Sequence, residues 1–565
     1  MTKTKQKIRK GNELPRVPGS RKIGIPSPDD PIEIAVHLRC NPASNGLPSI
    51  EELAAQPLHK RKYLSEQEFE TLYGASRDDI DNVKTFAHKH HLEVAGVNVS
   101  QRIITLNGTV NSCSSAFGIH FGFFKHPDYT FRAHEGQIKI PRELSDSVEG
   151  IFGLDDMPAA KPFVVLPHLE TGTPENSLAG KFYPMQLARL YRFPTNATGK
   201  GQSIAIIEMG GGYVRKHLNH YFEKVLKMPV PKITDVPVAG GENKPFTGRL
   251  DKNSSETLAA YSATAEVYLD IEVAGAVANG AELVVYFAPN TPKGFFQAVK
   301  QAVHDPEHNN TVISISWGKE ECLWQGDMSL TNAFNQVLHE AAVKGITVCA
   351  ASGDFGSSDD IHDPDGKAHV NFPASSPFVL TCGGTHLTVE NDTIKQETVW
   401  KYHVDKLTVE NVDIPINMTT SSGGGVSEIF ECPSYQVKAG VQPKSVNPGE
   451  KSGRGLPDVA GNADRRSGYI IQINDLLVPS GGTSAVAPLY AALIALINEK
   501  LNTTVGFINP FLYQAGETMD IFHDITVGDN ITAPAGGYTA VQGWDACTGW
   551  GSIHGENLLK ALQNA

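Results

Sequence analysis

Four short runs of β-branched and small apolar residues recur in the second two-thirds of the chain: SIAIIEMGGGY (203–213), AELVVYFAPN (281–290), TVISISWGKE (311–320) and GITVCAASGDFG (345–356). Amphipathic stretches such as EVYLDIEVAGAVANG and TNAFNQVLHEAAVKG lie between them. Apolar strands alternating with helices close into a parallel sheet covered on both faces, because each crossover helix packs back onto the sheet. The pattern predicts an α/β domain with a doubly wound parallel sheet. Ligands in such a sheet collect at the carboxyl ends of the strands, where the glycine-bearing loops fall. The glycines of MGGGY do not satisfy GxGxxG, so a dinucleotide site is not indicated.

A different pattern comes first. IEIAVHLR alternates as a strand, SEQEFETLYGAS and RDDIDNVKTFAHKHH read as helical pieces, and EVAGVNVSQRIITLNGTV reads as paired strands. NSCSSAFGI follows as a capped helix and FGFFKHPDYTFRAHEGQIKIP as further strand. The β-α-β-β-α-β order predicts a small antiparallel α+β domain of ferredoxin-like type over residues 28–165. Residues 1–27 read as a disordered basic tail. The Pro- and Gly-bearing stretch 166–178 reads as a linker open to cleavage, and 179–565 as the second domain.

A formal net charge of −13 argues against a nucleic-acid partner, since a phosphate backbone needs a basic surface. The longest apolar run, Ala485 to Ile497, is too short to span a bilayer and predicts a buried helix, so no membrane partner is expected. The seven cysteines contain no Cys-x-x-Cys pair and are expected to be mostly buried fillers. The basic amino terminus has no apolar core of a secretory signal.

The densest chemical signal is SGGTSAVAPLYAALIALIN (480–498). Its glycines permit a sharp turn that delivers Ser484 to the mouth of an apolar helix, where unpaired N–H groups favour an oxyanion. The ordinary reading of such a segment is that Thr483 or Ser484 caps the helix; Pro488, expected to kink it, weighs against a plain cap. The esterase elbow Gly-x-Ser-x-Gly is missed, because Val486 occupies its last glycine position.

Gly-Thr-Ser-x-x-x-Pro on a parallel sheet resembles the subtilisin clan, yet no His-Gly-Thr segment supplies a histidine base. In SATAEVYLDIEVAG, Glu266 and Asp270 stand four apart on one face of a helix whose other faces are apolar. Two buried carboxyls in contact share one proton and give a base that works in acid. Asp354, at the end of GITVCAASGD, is an ordinary turn aspartate by local sequence; protonated, it could donate to an oxyanion.

Glu266-x-x-x-Asp270, Ser352-Gly353-Asp354 and Gly482-Thr483-Ser484-x-x-x-Pro488, with LDIEVAGAVA, VYFAPNT, VSEIF, GRGLPDVAGNAD, FHDIT and GWDACTG, resemble the sedolisin family of serine-carboxyl peptidases, kumamolisin type. The likeness runs from about Ile32 to the carboxyl terminus. It implies a subtilisin-like catalytic domain preceded by an inhibitory, chaperoning propeptide domain that is cut away in the 166–178 linker. It implies Ser484 as nucleophile, Glu266 as general base then acid, Asp270 as its orienting partner and Asp354 in the oxyanion hole, with Glu208 and Trp317 extending the hydrogen-bond chain. It also implies one structural Ca2+ held by Asp524 and Asp545 with the carbonyls of Ile525, Val541 and Gly543.

Peptide or protein substrates, a monomer, acid-dependent activity and extracellular work follow as expectations, although export by an unusual route and residence inside the cell both stay open. A tripeptidyl-peptidase of the same family and a non-catalytic binding relative are the alternatives within this reading. Outside it stand a subtilisin using His304, His339, His369 or His523, and an esterase.

Overall fold

A computed structural model describes residues 6–8, 19–57, 60–127, 129–163, 178–251, 254–324, 328–359, 365–409 and 412–565. The period-two alternation of Pro31–Leu38 buries Ile32, Ile34, Val36 and Leu38 on one face, beneath Ile80, Val83 and Phe86 of helix Arg77–Lys89 and Phe117 of helix Val110–Phe117. The sheet runs in the order Glu93–Asn98, Ile103–Thr109, Pro31–Leu38, Val148–Phe152, with every neighbour antiparallel. This is the ferredoxin-like arrangement the pattern predicts.

The expected tail differs in two places. Gln6–Ile8 pairs with Lys139–Pro141, and Arg21–Gly24 pairs with His120–Lys125. An exposed strand edge offers a ladder of backbone groups to any extended segment, whatever its side chains. The expected cleavage linker falls at 166–177, outside the described residues, apart from Leu178.

The second domain is built on an eight-stranded sheet. Lys232–Pro237, Glu282–Phe287, Ser203–Glu208, Val312–Ile315, Thr347–Ala351 and Leu380–Glu390 lie side by side and parallel. Leu380–Glu390 also pairs with Val459–Asn462 in parallel and with Thr393–Val399 in antiparallel. One face is covered by helices Ser255–Val277 and Val486–Leu501, the other by Pro292–Val303 and Met328–Val343. The central strands Ser203–Glu208, Glu282–Phe287, Val312–Ile315 and Thr347–Ala351 are buried on both faces, which is why they read as unbroken apolar runs. Strand order reverses about Ser203–Glu208, so a crevice opens at its carboxyl end.

With its flanking residues the apolar run forms a segment, Thr483–Leu501, that is longer than the run alone suggested and apolar enough to cross a membrane, but 83% of its apolar window is buried among the other elements, as in a core helix. The seven cysteines are unpaired; Cys113, Cys349, Cys382 and Cys547 are fully buried.

The free face of the first domain's sheet docks on helices Pro292–Val303 and Met328–Val343. Phe152 stacks on Phe296 with ring centroids 4.0 Å apart, and His37 meets the same ring edge-on. Beside them Glu340 is buried and accepts from Arg102 of the first domain, from Lys300 at 2.5 Å and from His304 at 2.7 Å. Glu66 of the first domain bridges His304 and Lys344. This docking fixes where the first domain's last described residues go.

Candidate active site

The carboxyl ends of Ser203–Glu208, Val312–Ile315 and Thr347–Ala351 deliver Glu208, Ser316-Trp317 and Asp354 to the crevice. Helix Ser255–Val277 crosses beside them and contributes Glu266 and Asp270 from consecutive turns. The turn Thr483–Ala485 closes the group with Ser484. Glu208, Glu266, Asp270, Ser316, Thr483 and Ser484 have no exposed surface, and Trp317 and Asp354 almost none.

Neither hydroxyl caps the helix that follows: Ala485 is the cap residue and no side chain fills that role. The Thr483 hydroxyl is turned instead to Asp354, at 2.8 Å. Pro488 falls in the first turn, where a missing N–H costs little, so the expected kink is unnecessary. The Ser484 carbonyl, which residue 488 would otherwise have met, accepts from the Ser316 hydroxyl at 3.3 Å.

The single proton of the Ser316 hydroxyl is divided between the Ser484 carbonyl and Asp270 Oδ1, the nearer acceptor at 2.9 Å. The other Asp270 oxygen and both Glu266 oxygens are buried without a donor when the two groups are counted as carboxylates. The Ser484 hydroxyl donates to the Ser316 carbonyl at 3.4 Å rather than to Glu266, whose carboxyl is nonetheless near enough to that hydroxyl and to Asp270 for both to act on its protonation. A proton held between the two carboxyls is one donor this pocket requires, and turning the Ser484 O–H from the Ser316 carbonyl to Glu266 would supply the other. Burial, then the charges of Asp270 and Glu208, drive the Glu266 carboxyl well above its ordinary range. Burial drives Asp270 up as well, against the pull of the Ser316 and Glu266 hydrogen bonds.

Glu208 accepts from the Trp317 indole N–H at 3.0 Å, and burial with the Asp270 charge raises it too. Among the described residues no lysine or arginine pairs with any of the three acids, so the pocket cannot carry three negative charges.

Asp354 Oδ1 accepts from the Thr483 N–H and hydroxyl, both at 2.8 Å. Burial nevertheless lifts this carboxyl to about 7, so it is neutral in acid and able to donate from its second oxygen.

The site is occupied by the chain itself. Lys161–Pro162 pairs antiparallel with Trp317–Gly318, the Phe163 N–H donates to the Ser316 carbonyl at 3.2 Å, and the Ser484 N–H donates to the Phe163 carbonyl at 3.4 Å. Gly482 has φ +100°, and a Cβ there would stand 2.0 Å from that carbonyl oxygen. Only glycine lets the backbones approach so closely. The first domain thus ends as an added strand whose last described carbonyl sits at the Ser484 amide and beside Asp354.

Sequence reasoning named Thr483 only as a possible cap and a motif position, not as a partner of Asp354, and did not single out Ser316 or residues 161–163. Ser316 could have been suspected from its place at the end of a central parallel strand; Lys161, Pro162 and Phe163 carry no local signal.

The five positions expected to bind a metal also gather. Gly543 N–H donates to Asp524 Oδ2 at 2.9 Å, and Val541 N–H donates to Asp545 Oδ2 at 3.2 Å. Asp524 Oδ1 is buried without a partner, and burial lifts Asp545 to about 6. Among the described residues, no hydrogen bond is accepted by the carbonyls of Ile525, Val541 or Gly543, and no three His, Cys, Asp or Glu side chains converge as metal ligands. Two carboxylates with carbonyl oxygens form a hard oxygen set suited to Ca2+ and to no softer ion.

Comparison with known proteins gives the same outline. Residues 18–157 match the family model "Pro-kumamolisin, activation domain", and residues 252–514 match "Subtilase family". The chain is 42% identical over 563 residues to kumamolisin of Bacillus sp. (strain MN-32), covering 99% of this chain and 96% of that protein. It is 27% identical to tripeptidyl-peptidase sed5 of Aspergillus fumigatus, over 98% of this chain and 97% of that protein. The solved structure of Pseudomonas sedolisin, a serine-carboxyl proteinase, superposes with a TM-score of 0.56 at 27% identity, over 68% of this chain and 98% of that one.

Proposed function

Because the chain belongs to the sedolisin family of serine-carboxyl peptidases and carries that family's propeptide domain, we propose that it is a self-processing zymogen whose site residues divide the work as follows. The Ser484 hydroxyl attacks the carbonyl carbon of a peptide bond while Glu266 takes its proton. Asp270 shares the proton of the couple and holds Glu266 in place, with Ser316 holding Asp270. The oxyanion is met by the Ser484 N–H and by neutral Asp354. Glu266 returns the proton to the leaving amine, an acyl-enzyme remains on Ser484, and water reverses the sequence. Trp317 and Glu208 support the couple from behind.

The observation that carries this reading is the Phe163 carbonyl, which accepts from the Ser484 N–H as a substrate carbonyl would. We accordingly place the first self-cut at the bond following Phe163, with trimming in the 166–178 linker completing release. The chain on the amino side of Phe163 favours an endopeptidase over a tripeptidyl-peptidase. It runs on past the third residue, with Ala159 and Ala160 N–H held by Asn290 Oδ1 at 3.0 Å and the Pro158 carbonyl by Lys319 at 3.2 Å. A cleft built to grip a free amino end would be closed there.

Asp524 and Asp545, with the carbonyls of Ile525, Val541 and Gly543, would hold one Ca2+, which when bound ties the carboxyl-terminal loop together. Extracellular work as a monomer fits this reading.

Purified precursor held at pH about 4 should shed its first domain, by mass, with a new end after Phe163. Ser484→Ala and Glu266→Gln should stay whole, while replacement of His304, His339, His369 or His523 should leave cutting intact. Cutting that survives Glu266→Gln but is lost with one histidine would refute the assignment.

A further inference from the structure

The catalytic domain carries a cation site three residues back from the bond to be cut. Lys161 Nζ lies 2.5 Å from Glu320 Oε1 and 3.0 Å from the Asp359 carbonyl oxygen, and 4.7 Å from the centre of the Phe355 ring. The Glu320 side chain is 6% exposed and that of Lys161 31%, so the carboxylate is sunk and the ammonium partly wet. All three partners belong to the part of the chain that stays after processing: Glu320 ends the strand Trp317–Glu320, and Phe355 and Asp359 follow Asp354. The site is held rigidly. Glu320 pairs with Asn371 in the adjoining strand, and the Asn371 amide donates to Asp359 Oδ2 at 3.1 Å.

We propose that Glu320, the Asp359 carbonyl and the Phe355 ring form a subsite that selects lysine or arginine as the third residue on the amino side of the cleaved bond. The proposal rests on the serine-peptidase reading and on Phe163 filling the first position. When the first domain leaves, Glu320 is uncovered as a carboxylate that has lost its cation, beside the Asp359 carbonyl and the Phe355 ring, and it favours the next cation laid there. A substrate laid antiparallel on Trp317–Gly318, as Lys161–Pro162 is, repeats the register and brings its third side chain to the same place. The ammonium or guanidinium is then met by a charge-assisted hydrogen bond, a carbonyl dipole and an aromatic face, which an apolar or acidic side chain cannot use.

The test is a set of internally blocked peptides reading X-Pro-Phe before the cut, with X as Lys, Arg, Ala or Glu, given to the processed enzyme at pH about 5, where ordinary carboxylates are mostly ionised. Wild type should cut the Lys and Arg peptides with kcat/KM about ten-fold above Ala, and Glu below Ala. Glu320→Gln should collapse the Lys-to-Ala ratio towards one, and Glu320→Lys should favour the Glu peptide. Equal kcat/KM for Lys and Ala in wild type would overturn the subsite while leaving the serine-peptidase reading standing, and needs no variant to fold. Failure of wild type to cut any of the peptides better than Ser484→Ala does would overturn that reading, and the subsite with it.

Discussion

Glu66→Gln should loosen the grip of the propeptide domain at neutral pH and flatten its response to acid. Glu66 lies in the first domain, while its partners His304 and Lys344 lie in the second. Burial alone would raise its carboxyl, but the hydrogen bonds and charges of His304 and Lys344 outweigh it and bring the group from 4.5 to about 2. Those partners are lost on undocking, so the carboxyl returns to its ordinary range in the open form. A group whose value is lowered on docking stabilises the docked form above its free value and loses that contribution as pH falls through the lowered one. The window is therefore from about 4.5 down to about 2.

A change of that size is worth about 3 kcal/mol when the group is fully ionised. The side chain is 23% exposed, and screening trims this to about 2 kcal/mol, roughly 30-fold in the docking equilibrium. His37 acts in the same direction: burial first, then the Lys300 and Arg102 cations, hold it well below its ordinary value. Protonation therefore favours release below about 6.5.

Hydroxyl-radical footprinting of Phe152 and Phe296 in the Ser484→Ala precursor reads the open population directly, since both rings are buried where they stack. Added Glu66→Gln should raise their labelling about 30-fold at pH 6 and weaken its dependence on acid between pH about 4.5 and 2. Labelling that superposes on the parent at every pH would refute the reasoning.

Three further outcomes are expected. On the proposed assignment, Asp354→Ala removes a donor to the oxyanion and should lower kcat about 100- to 1,000-fold with KM little changed, as read from initial rates on one peptide. Trp317→Phe leaves Glu208 Oε2 without its indole donor and should lower kcat several-fold while moving the pH profile, whereas a purely packing role would move stability alone. Chelation of Ca2+ should lower the melting temperature of the processed enzyme by several degrees, and Asp524→Asn should abolish the difference between chelated and Ca2+-loaded protein.

Legibility in the sequence followed distance along the chain. Glu266 and Asp270 could be paired because helical spacing alone puts them on one face, and the apolar residues around them announced burial. Ser484 could be placed because glycines and an apolar helix flank it. Ser316 looks like any strand serine, and only the fold brings its hydroxyl to Asp270. The Arg102–Glu340 contact joins residues 238 apart in sequence, and its charges read singly as ordinary surface groups. Lys161 likewise has no meaning until the antiparallel pairing with Trp317–Gly318 lays it beside Glu320. The strand pairings of the amino-terminal tail were unreadable for a related reason: an edge strand accepts backbone, and backbone carries no sequence signal.

Whether carboxyl groups rather than an imidazole serve Ser484 is decided by the pH dependence of kcat/KM for the processed enzyme. Activity should be high in acid and fall as pH rises through about 7, where Asp354 gives up the proton it donates. A limb that instead rises through about 6.5, and persists after Glu266→Gln, would mean that a histidine does the work.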